Sequence, residues 1–161
     1  MRNEMLELFK ERSVTLEDIV ECVVYLEEGY DDKIVDRLEI ASHINEILDK
    51  REVQNAIRTG IALDKYAESG LMQDKTLEKI LMSDESLYGV DEVLAYGICN
   101  LYGSIALTNF GYIDRVKPGI IGELNNEEDG VCNTYLDDIV GAIAASAASK
   151  SAHNKIRMED K

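Results

Sequence analysis

Five acidic residues interrupt apolar stretches at three places in the second half of the chain, and their chemistry suggests a metal site. They are Asp91, Glu92, Asp114, Asp137 and Asp138. The neighbouring apolar residues recur as they do in buried helices, where a carboxylate costs free energy unless it is paired or binds a cation. We therefore expect the three places to converge in the folded protein and to hold a cation between them.

The donor set predicts which cation would bind. The two histidines have no partner at metal-ligand spacing, and the three cysteines are widely separated. Carboxylate oxygens without nitrogen or sulfur favour Mg²⁺, Mn²⁺ or Ca²⁺. Lys117 follows Asp114 by about one helical turn and could neutralise a phosphate oxygen, so the group has the parts of a metal-assisted phosphoryl hydrolase. The alternative is structural, since acids are common in the first turn of helices and Asp114 with Lys117 could form a surface ion pair.

The acids can share a site only if the chain reverses between them. Asp91 and Asp114 are 23 positions apart, which is about 34 Å along one unbroken helix. Residues 100–104 include asparagine, glycine and serine, and we expect the turn there. A site completed by a second subunit is the other solution. Asp137 and Asp138 lie about 100° apart on a helix, so both can flank one ion.

The elements that would position these residues are helices. Three segments have apolar residues at helical spacing: 16–24, 34–48 and 53–61. No segment has the alternation of a strand, and Thr15 and Thr134 are predicted N-caps. The last helix has one apolar face and one face of small residues, which favours a central position. We predict an all-α single domain over 1–161, a helical bundle of about six helices with one central helix surrounded by the others and a frayed tail at 154–161.

Composition limits the partners. The chain has 32 Asp and Glu against 17 Lys and Arg, a formal net charge of -15, which disfavours nucleic acid and unaided docking on an anionic membrane. Residues 93–113 carry no charge and match the length of a membrane span, but their polar residues and glycines favour a buried core segment. The chain does not open like a signal peptide, and isolated cysteines suit a reducing compartment, so we expect a cytoplasmic protein.

Three motifs follow one another in an order that resembles a known family. They are Y-G-V-D-E at 88–92, F-x-x-x-D-x-x-K-P at 110–118 and L-D-D-I-V at 136–140. Together they resemble the signature of the phosphatidylglycerophosphatase A family, in its soluble, YutG-like branch, and the resemblance covers roughly 87–152. It implies an all-α bundle with one helix surrounded by others. It also implies Mg²⁺-dependent hydrolysis of phosphatidylglycerophosphate to phosphatidylglycerol, a step of phospholipid biosynthesis.

The resemblance also carries the candidate site onto residues of the three motifs. The implied metal ligands for Mg²⁺ are Asp91, Asp114, Asp137 and Asp138. The implied catalytic residues are Glu92, Lys117 and Asp138. We hypothesise that Glu92 or one of the two adjacent aspartates orients the attacking water, and that Lys117 binds phosphate.

The expected substrate is a phosphorylated glycerolipid or a small phosphomonoester. Membrane-embedded members of the family have hydrophobic spans and a glycine-rich element, whose nearest counterpart here is Thr59 with Gly60. A lipid would therefore be reached by peripheral contact with the inner face of the membrane, and we also expect a homo-oligomer. Two alternatives stay open: an all-α Mg²⁺-dependent nucleotide pyrophosphohydrolase, which usually shows a Glu-x-x-Glu helix, and a non-enzymatic helical interaction domain.

Overall fold

The structure, a computed structural model, describes residues 1–29, 35–126 and 130–161. All regular secondary structure in these ranges is helical, which confirms the predicted class. The nine helices that the described ranges contain are α1 (Arg2–Glu11), α2 (Leu16–Glu28), α3 (Arg37–Leu48), α4 (Arg51–Glu68), α5 (Lys75–Met82), α6 (Val90–Cys99), α7 (Ser104–Val116), α8 (Ile120–Asn125) and α9 (Leu136–Glu159).

The predicted number of about six helices is wrong because short or weakly apolar segments also fold as helix. α1 has one short apolar face, formed by Met5 and Phe9 with the half-buried Leu6 and Leu8, and this run is too short to give a clear period. α8 has six residues after Pro118, too few for a periodic pattern. The uncharged segment 93–113 is divided between α6 and α7. Within the described ranges, every helix is too short or too polar to cross a membrane.

The N-cap predicted for α2 is present, whereas one residue of the apolar stripe predicted for α3 is exposed. The side chain of Thr15 accepts a hydrogen bond from the Asp18 amide at 3.1 Å, and the Asp18 carboxylate accepts one from the Thr15 amide at 2.8 Å. Of the predicted stripe over 34–48, Ile34 lies outside the described residues. Leu38 is 84% exposed, so its assignment to the apolar face is wrong. It is the second residue of α3, and the four residues 36–39, which begin with the N-cap Asp36, are all exposed.

α9 is the centre of the bundle, as predicted. It packs against α2, α3, α4, α6, α7 and α8, and every residue over 136–149 is buried. Many of these residues are small, so neighbouring helices approach α9 closely. At Gly60 of α4, an added Cβ would lie 2.4 Å from Ile139 Cδ1 and 3.1 Å from Tyr135 Cβ. The first turn of α9 is therefore enclosed by other helices.

The C-terminal part of α9 extends into the segment predicted to fray. Residues 154–159 are helical, their side chains are exposed, and the prediction that they fray stays a prediction. Contacts with α3 hold α9 just before this segment and at its first residue. His43 Nδ1 lies 3.1 Å from Ser151 Oγ, and His43 Nε2 lies 3.2 Å from the side-chain amide of Asn154. These contacts reach α9 from a helix more than 100 positions earlier in the chain.

Candidate active site

The acids of the three motifs meet at one end of α9. α6 carries Asp91 and Glu92 in its first turn, α7 ends two residues after Asp114, and α9 carries Asp137 and Asp138 in its first turn. Burial, the adjacent Asp137 and the carboxylates of the other two motifs raise the pKa of Asp138 to about 11. The three motifs are thus within electrostatic reach of one another, as their chemistry requires.

The chain reverses where the sequence predicts. α6 ends at Cys99 and α7 begins at Ser104, and Gly103 between them has a φ of 91° that favours glycine. Tyr96 packs edge-to-face on Phe110, with ring centroids 5.3 Å apart, so the two helices lie side by side. The reversal returns the end of α7 to the start of α6, which one straight helix could not do.

Lys117 joins two of the motifs. Its Nζ lies 3.2 Å from Asp114 Oδ1 and 3.1 Å from Asp137 Oδ2. Lys117 is the C-cap of α7 and has a left-handed backbone with φ 52°. α8 comes so close that a Cβ at Gly122 would lie 2.6 Å from the Lys117 carbonyl oxygen. Burial lowers the pKa of Lys117, but Asp137 and Asp114 raise it by more, so the side chain is a cation.

This end of α9 has more carboxyl groups than positive charges to pair with them, since Lys117 is the cation that contacts them among the described residues. Asp137 and Asp138 are each only 4% exposed. Burial raises the pKa of Asp137 to about 7, although the charge of Lys117 lowers it. Burial and then Asp114 raise the pKa of Glu92, which is half-buried. These carboxyl groups would all ionise more readily if a second positive charge were bound among them.

The residues present fit a hard cation in their chemistry. The cluster offers carboxylate oxygens, which are the ligands that Mg²⁺ prefers. In the part of the chain that the structure describes, no group of three or more His, Cys, Asp or Glu side chains is arranged as a set of metal ligands. The Lys117 ammonium lies between Asp114 and Asp137, where its charge does what a bound ion would do. A divalent ion at this place would therefore displace Lys117 from the two carboxylates.

Asp84 belongs to the same cluster, although no motif includes it. It follows the C-cap of α5 and has a left-handed backbone, with φ 47°. Desolvation and then the charge of Asp91 raise the pKa of Asp84, while Lys117 lowers it. Its signal in the sequence is weak: an aspartate just after an apolar helical segment, a residue type that tolerates positive φ.

Asp64 of α4 holds the first turn of α9 in place of the predicted Thr134. Its carboxylate has no exposed surface and accepts hydrogen bonds from the amides of Tyr135 and Leu136, each at 3.0 Å. The Thr134 hydroxyl donates instead to the Leu81 carbonyl oxygen at 2.6 Å. The prediction of Thr134 as N-cap is wrong because a carboxylate about 70 positions earlier takes that role. The spacing of residues around Thr134 does not indicate that a distant side chain accepts from the first amides of α9.

A mostly buried ion pair fixes the segment before α9. Arg12 forms a forked pair with Glu68, and the two side chains are 10% and 21% exposed. Arg12 also donates to the Cys132 carbonyl oxygen at 2.7 Å, and Glu68 accepts from the Cys132 amide at 2.7 Å. Bidentate, partly desolvated pairs hold their geometry better than surface pairs do. Sequence reasoning singled out neither residue, since both lie far from the motifs.

Comparison with known proteins identifies a family and several proteins that are similar to this chain. Residues 18–153 match the sequence profile of the family described as Phosphatidylglycerophosphatase A. The chain is similar to the Bacillus subtilis protein YutG, with 54% identity over 145 residues that cover 89% of this chain and 86% of YutG. It is similar in fold to the crystal structure of the low temperature requirement C protein from Listeria monocytogenes, with a TM-score of 0.90, 47% identity and 96% of each chain covered. The crystal structure of Bacillus subtilis YpjQ has a TM-score of 0.90 and 41% identity, and the match covers 98% of this chain and 99% of that one.

Proposed function

Because the chain belongs to the phosphatidylglycerophosphatase A family, we propose that it is a Mg²⁺-dependent phosphatase that converts phosphatidylglycerophosphate to phosphatidylglycerol. The observation that supports the proposal is the meeting of three acidic motifs and Lys117 at the start of α9. Carboxylates in excess over cations can hold a divalent ion, and an ammonium group can bind a phosphate oxygen. The family resemblance read from the sequence is confirmed, whereas the ion and the substrate belong to the proposal.

The proposed ligands of the ion come from all three motifs. They are Asp91, Asp114, Asp137 and Asp138. A bound Mg²⁺ would neutralise charge on the phosphoryl oxygens. Lys117 now shares its charge between Asp114 and Asp137. If those carboxylates held the ion, the Lys117 ammonium group would be free of them and could bind the phosphate of the substrate instead.

The remaining acid would handle the attacking water. Glu92 has a pKa raised by burial and by Asp114, which makes it a stronger base than an exposed glutamate. Glu92 orients the water and takes its proton; Asp138, whose pKa is raised to about 11, could do so in its place only if a bound cation ionised it. The water oxygen forms a bond to phosphorus as the bond from phosphorus to the glycerol oxygen breaks. The proton then passes to the glycerol oxygen, so the products are inorganic phosphate and phosphatidylglycerol.

The test is phosphate release from phosphatidylglycerophosphate with and without Mg²⁺. Asp137→Asn removes one charge from a residue that is 4% exposed while keeping its shape. We expect the variant to lose at least about 100-fold in kcat, as when one preorganised electrostatic contact in a dry site is removed. Equal rates for variant and wild type, or equal rates with and without Mg²⁺, would remove the mechanism.

The matched control is Asp74→Asn. Asp74 is the N-cap of α5, and asparagine caps a helix about as well as aspartate does, so this exchange should leave both fold and activity intact. Nucleoside triphosphates in the same assay address the pyrophosphohydrolase alternative. Release of pyrophosphate from them, without phosphate from the lipid, would favour that alternative.

A further inference from the structure

An apolar groove lies between α4 and α6. Its volume is about 460 Å³, within the range of sites that enclose a small ligand. α4 lines it with Asn55, Thr59 and Leu63, and α6 lines it with Val93, Leu94 and Gly97. Thr59 is the residue before Gly60, where α4 comes closest to α9. α4 and α6 both pack against α9, and the groove is the space left between these two helices.

The α6 side of the groove exposes apolar surface that the fold does not use. Val90 and Val93 are 51% and 66% exposed, and they lie one helical turn apart. At Gly97, a further turn along, an added Cβ would meet no atom within 4 Å. Of the residues that line the groove, Glu52 alone carries a charge. The lining that the structure describes has no Lys or Arg to bind an anion, and its exposed apolar side chains favour an apolar occupant.

The groove begins where the acidic cluster ends. Val90 lines it and is followed in the chain by Asp91, and Leu94 lies one turn beyond Asp91 on the same helix. Tyr135 forms part of its floor and precedes the first turn of α9, which carries the buried acids. The Tyr135 hydroxyl is hydrogen bonded to that of Tyr88, in the first of the three motifs. If the phosphate of a substrate bound at the cluster, the rest of the substrate could therefore lie in this groove.

We propose that this groove binds the glycerol ester and acyl part of the lipid substrate, an inference that rests on the proposed function. The side chains of Thr59 and Asn55 can donate hydrogen bonds to ester carbonyl oxygens, and Leu63, Val93 and Leu94 contact the hydrocarbon. The enzyme then selects phosphomonoesters that carry an apolar tail and does not act equally on the free head group. A protein without membrane-spanning helices in its described part can bind a lipid in this way.

A second copy of this chain is the other occupant to consider. Two copies would each bring a net charge of -15, and this groove lies beside the acidic cluster, so the predicted homo-oligomer is better served by another surface. The lipid tail is therefore the occupant that the charge and position of the groove favour.

The test fills the groove and compares two substrates. Gly97→Leu places a side chain in open space, and leucine is the better helix former, so the fold should be preserved. The substrates are dihexanoyl phosphatidylglycerophosphate and its deacylated head group, glycerophosphoglycerol phosphate. We expect Gly97→Leu to lower kcat/KM for the acylated substrate at least about tenfold more than for the head group. An equal effect on both substrates, or no effect on either, would overturn the proposal.

The matched control is Gly111→Leu in α7. An added Cβ there also meets no atom within 4 Å, and the position lies outside the groove, so the ratio of the two kcat/KM values should equal that of the wild type. Sedimentation of each variant is measured alongside. A change of oligomeric state in Gly97→Leu, with both substrates affected alike, would assign the groove to a second copy and reject the lipid tail.

A binding measurement separates this inference from the proposed reaction. Dihexanoyl phosphatidylglycerol, which has no phosphomonoester, is titrated into the protein by calorimetry. Binding by the wild type and Gly111→Leu that is weakened at least about tenfold in Gly97→Leu supports the groove, even if no phosphate is released from any substrate. Phosphate release by the wild type together with equal binding by all three proteins rejects the groove and leaves the reaction standing.

Discussion

At the scale of single residues, Lys117 stabilises the acidic cluster in the metal-free protein. Its Nζ contacts carboxylates from two motifs, at 3.2 Å and 3.1 Å, and one of these, Asp137, is almost fully buried. A buried carboxylate without such a partner would carry a large desolvation cost. The same ammonium group is the proposed phosphate ligand. In the proposed mechanism, a bound ion would determine whether Lys117 contacts these carboxylates or the phosphate.

Lys117→Met removes this charge while keeping a side chain of similar length. We expect the metal-free variant to lose about 1–3 kcal/mol in free energy of unfolding, because a mostly buried carboxylate loses its partner. Mg²⁺ should restore more of the stability in the variant than it adds to the wild type, since the carboxylates then need it more. Urea unfolding with and without Mg²⁺ measures both effects. Lys117→Arg, which keeps the charge, is the control, and a metal-free Lys117→Met as stable as wild type would contradict the account.

At the scale of elements, the start of α9 is held by helices distant in the chain. Asp64 of α4 accepts from the amides of Tyr135 and Leu136, and Arg12 with Glu68 fixes Cys132. These contacts place the first turn of α9 near the start of α6 and the end of α7. The helix is thus oriented by buried charges outside the motifs, while the motifs themselves supply the chemistry.

The pH dependence of stability should reveal the buried Asp64. Burial raises its pKa to about 7, against the opposing hydrogen bonds from the Tyr135 and Leu136 amides. Because the folded-state pKa is above the ordinary value of 3.8, the folded protein holds a proton that the unfolded chain releases. The stability from this group is fully present below about pH 4 and is lost as the pH rises towards about 7.

Asp64→Asn cannot titrate at this position. Between about pH 4 and pH 7 its free energy of unfolding should decline less steeply than that of the wild type, by up to about 1.4 kcal/mol per pH unit. Asp160→Asn, at the exposed C-terminal end of α9, should keep the wild-type slope. Denaturant unfolding at a series of pH values measures the slopes. Parallel curves for Asp64→Asn and wild type would show that this group does not titrate in that range.

At the scale of the whole molecule, negative charge is concentrated where the three motifs converge. The chain has a net charge of -15, and its ion pairs are not evenly distributed. Lys117 is the cation that contacts the cluster, whereas other pairs, such as Lys150 with Glu46, lie elsewhere on the molecule. A divalent ion bound to the cluster would relieve repulsion in the folded state alone, because the unfolded chain does not bring the acids together. Ion binding should therefore stabilise the fold. The predicted homo-oligomer and the membrane contact stay predictions.

Mg²⁺ should raise the thermal unfolding temperature of the wild type. At 100 times the dissociation constant, linkage predicts about 2.7 kcal/mol of added stability. Asp138→Asn removes a proposed ligand and should respond much less. Sodium chloride at the same ionic strength is the control for screening, which is not specific to the cluster. An unfolding temperature that rises equally with both salts would mean that the cluster does not bind the ion.

Several features followed from sequence patterns alone. The helical class, the central last helix, the reversal after Cys99 and the pairing of Lys117 with Asp114 are all consequences of local spacing or of the ordered motifs. Short helices such as α1 and α8 were missed because they bury too few residues to produce a periodic pattern. Leu38 was misplaced because apolar spacing does not show whether the first turn of a helix is covered by other helices.

The amino-acid sequence by itself determined the chemistry of this protein: which side chains carry charge, which segments are helical and which motifs name the family. The tertiary structure decided how those parts meet. It gave Asp64 and Arg12 their positions at the start of α9, added Asp84 to the cluster and left a groove beside it. The physical reason is distance along the chain. Helix propensity and apolar spacing act over a few residues, whereas a buried charge is satisfied by whichever partner the packing of the whole bundle brings to it.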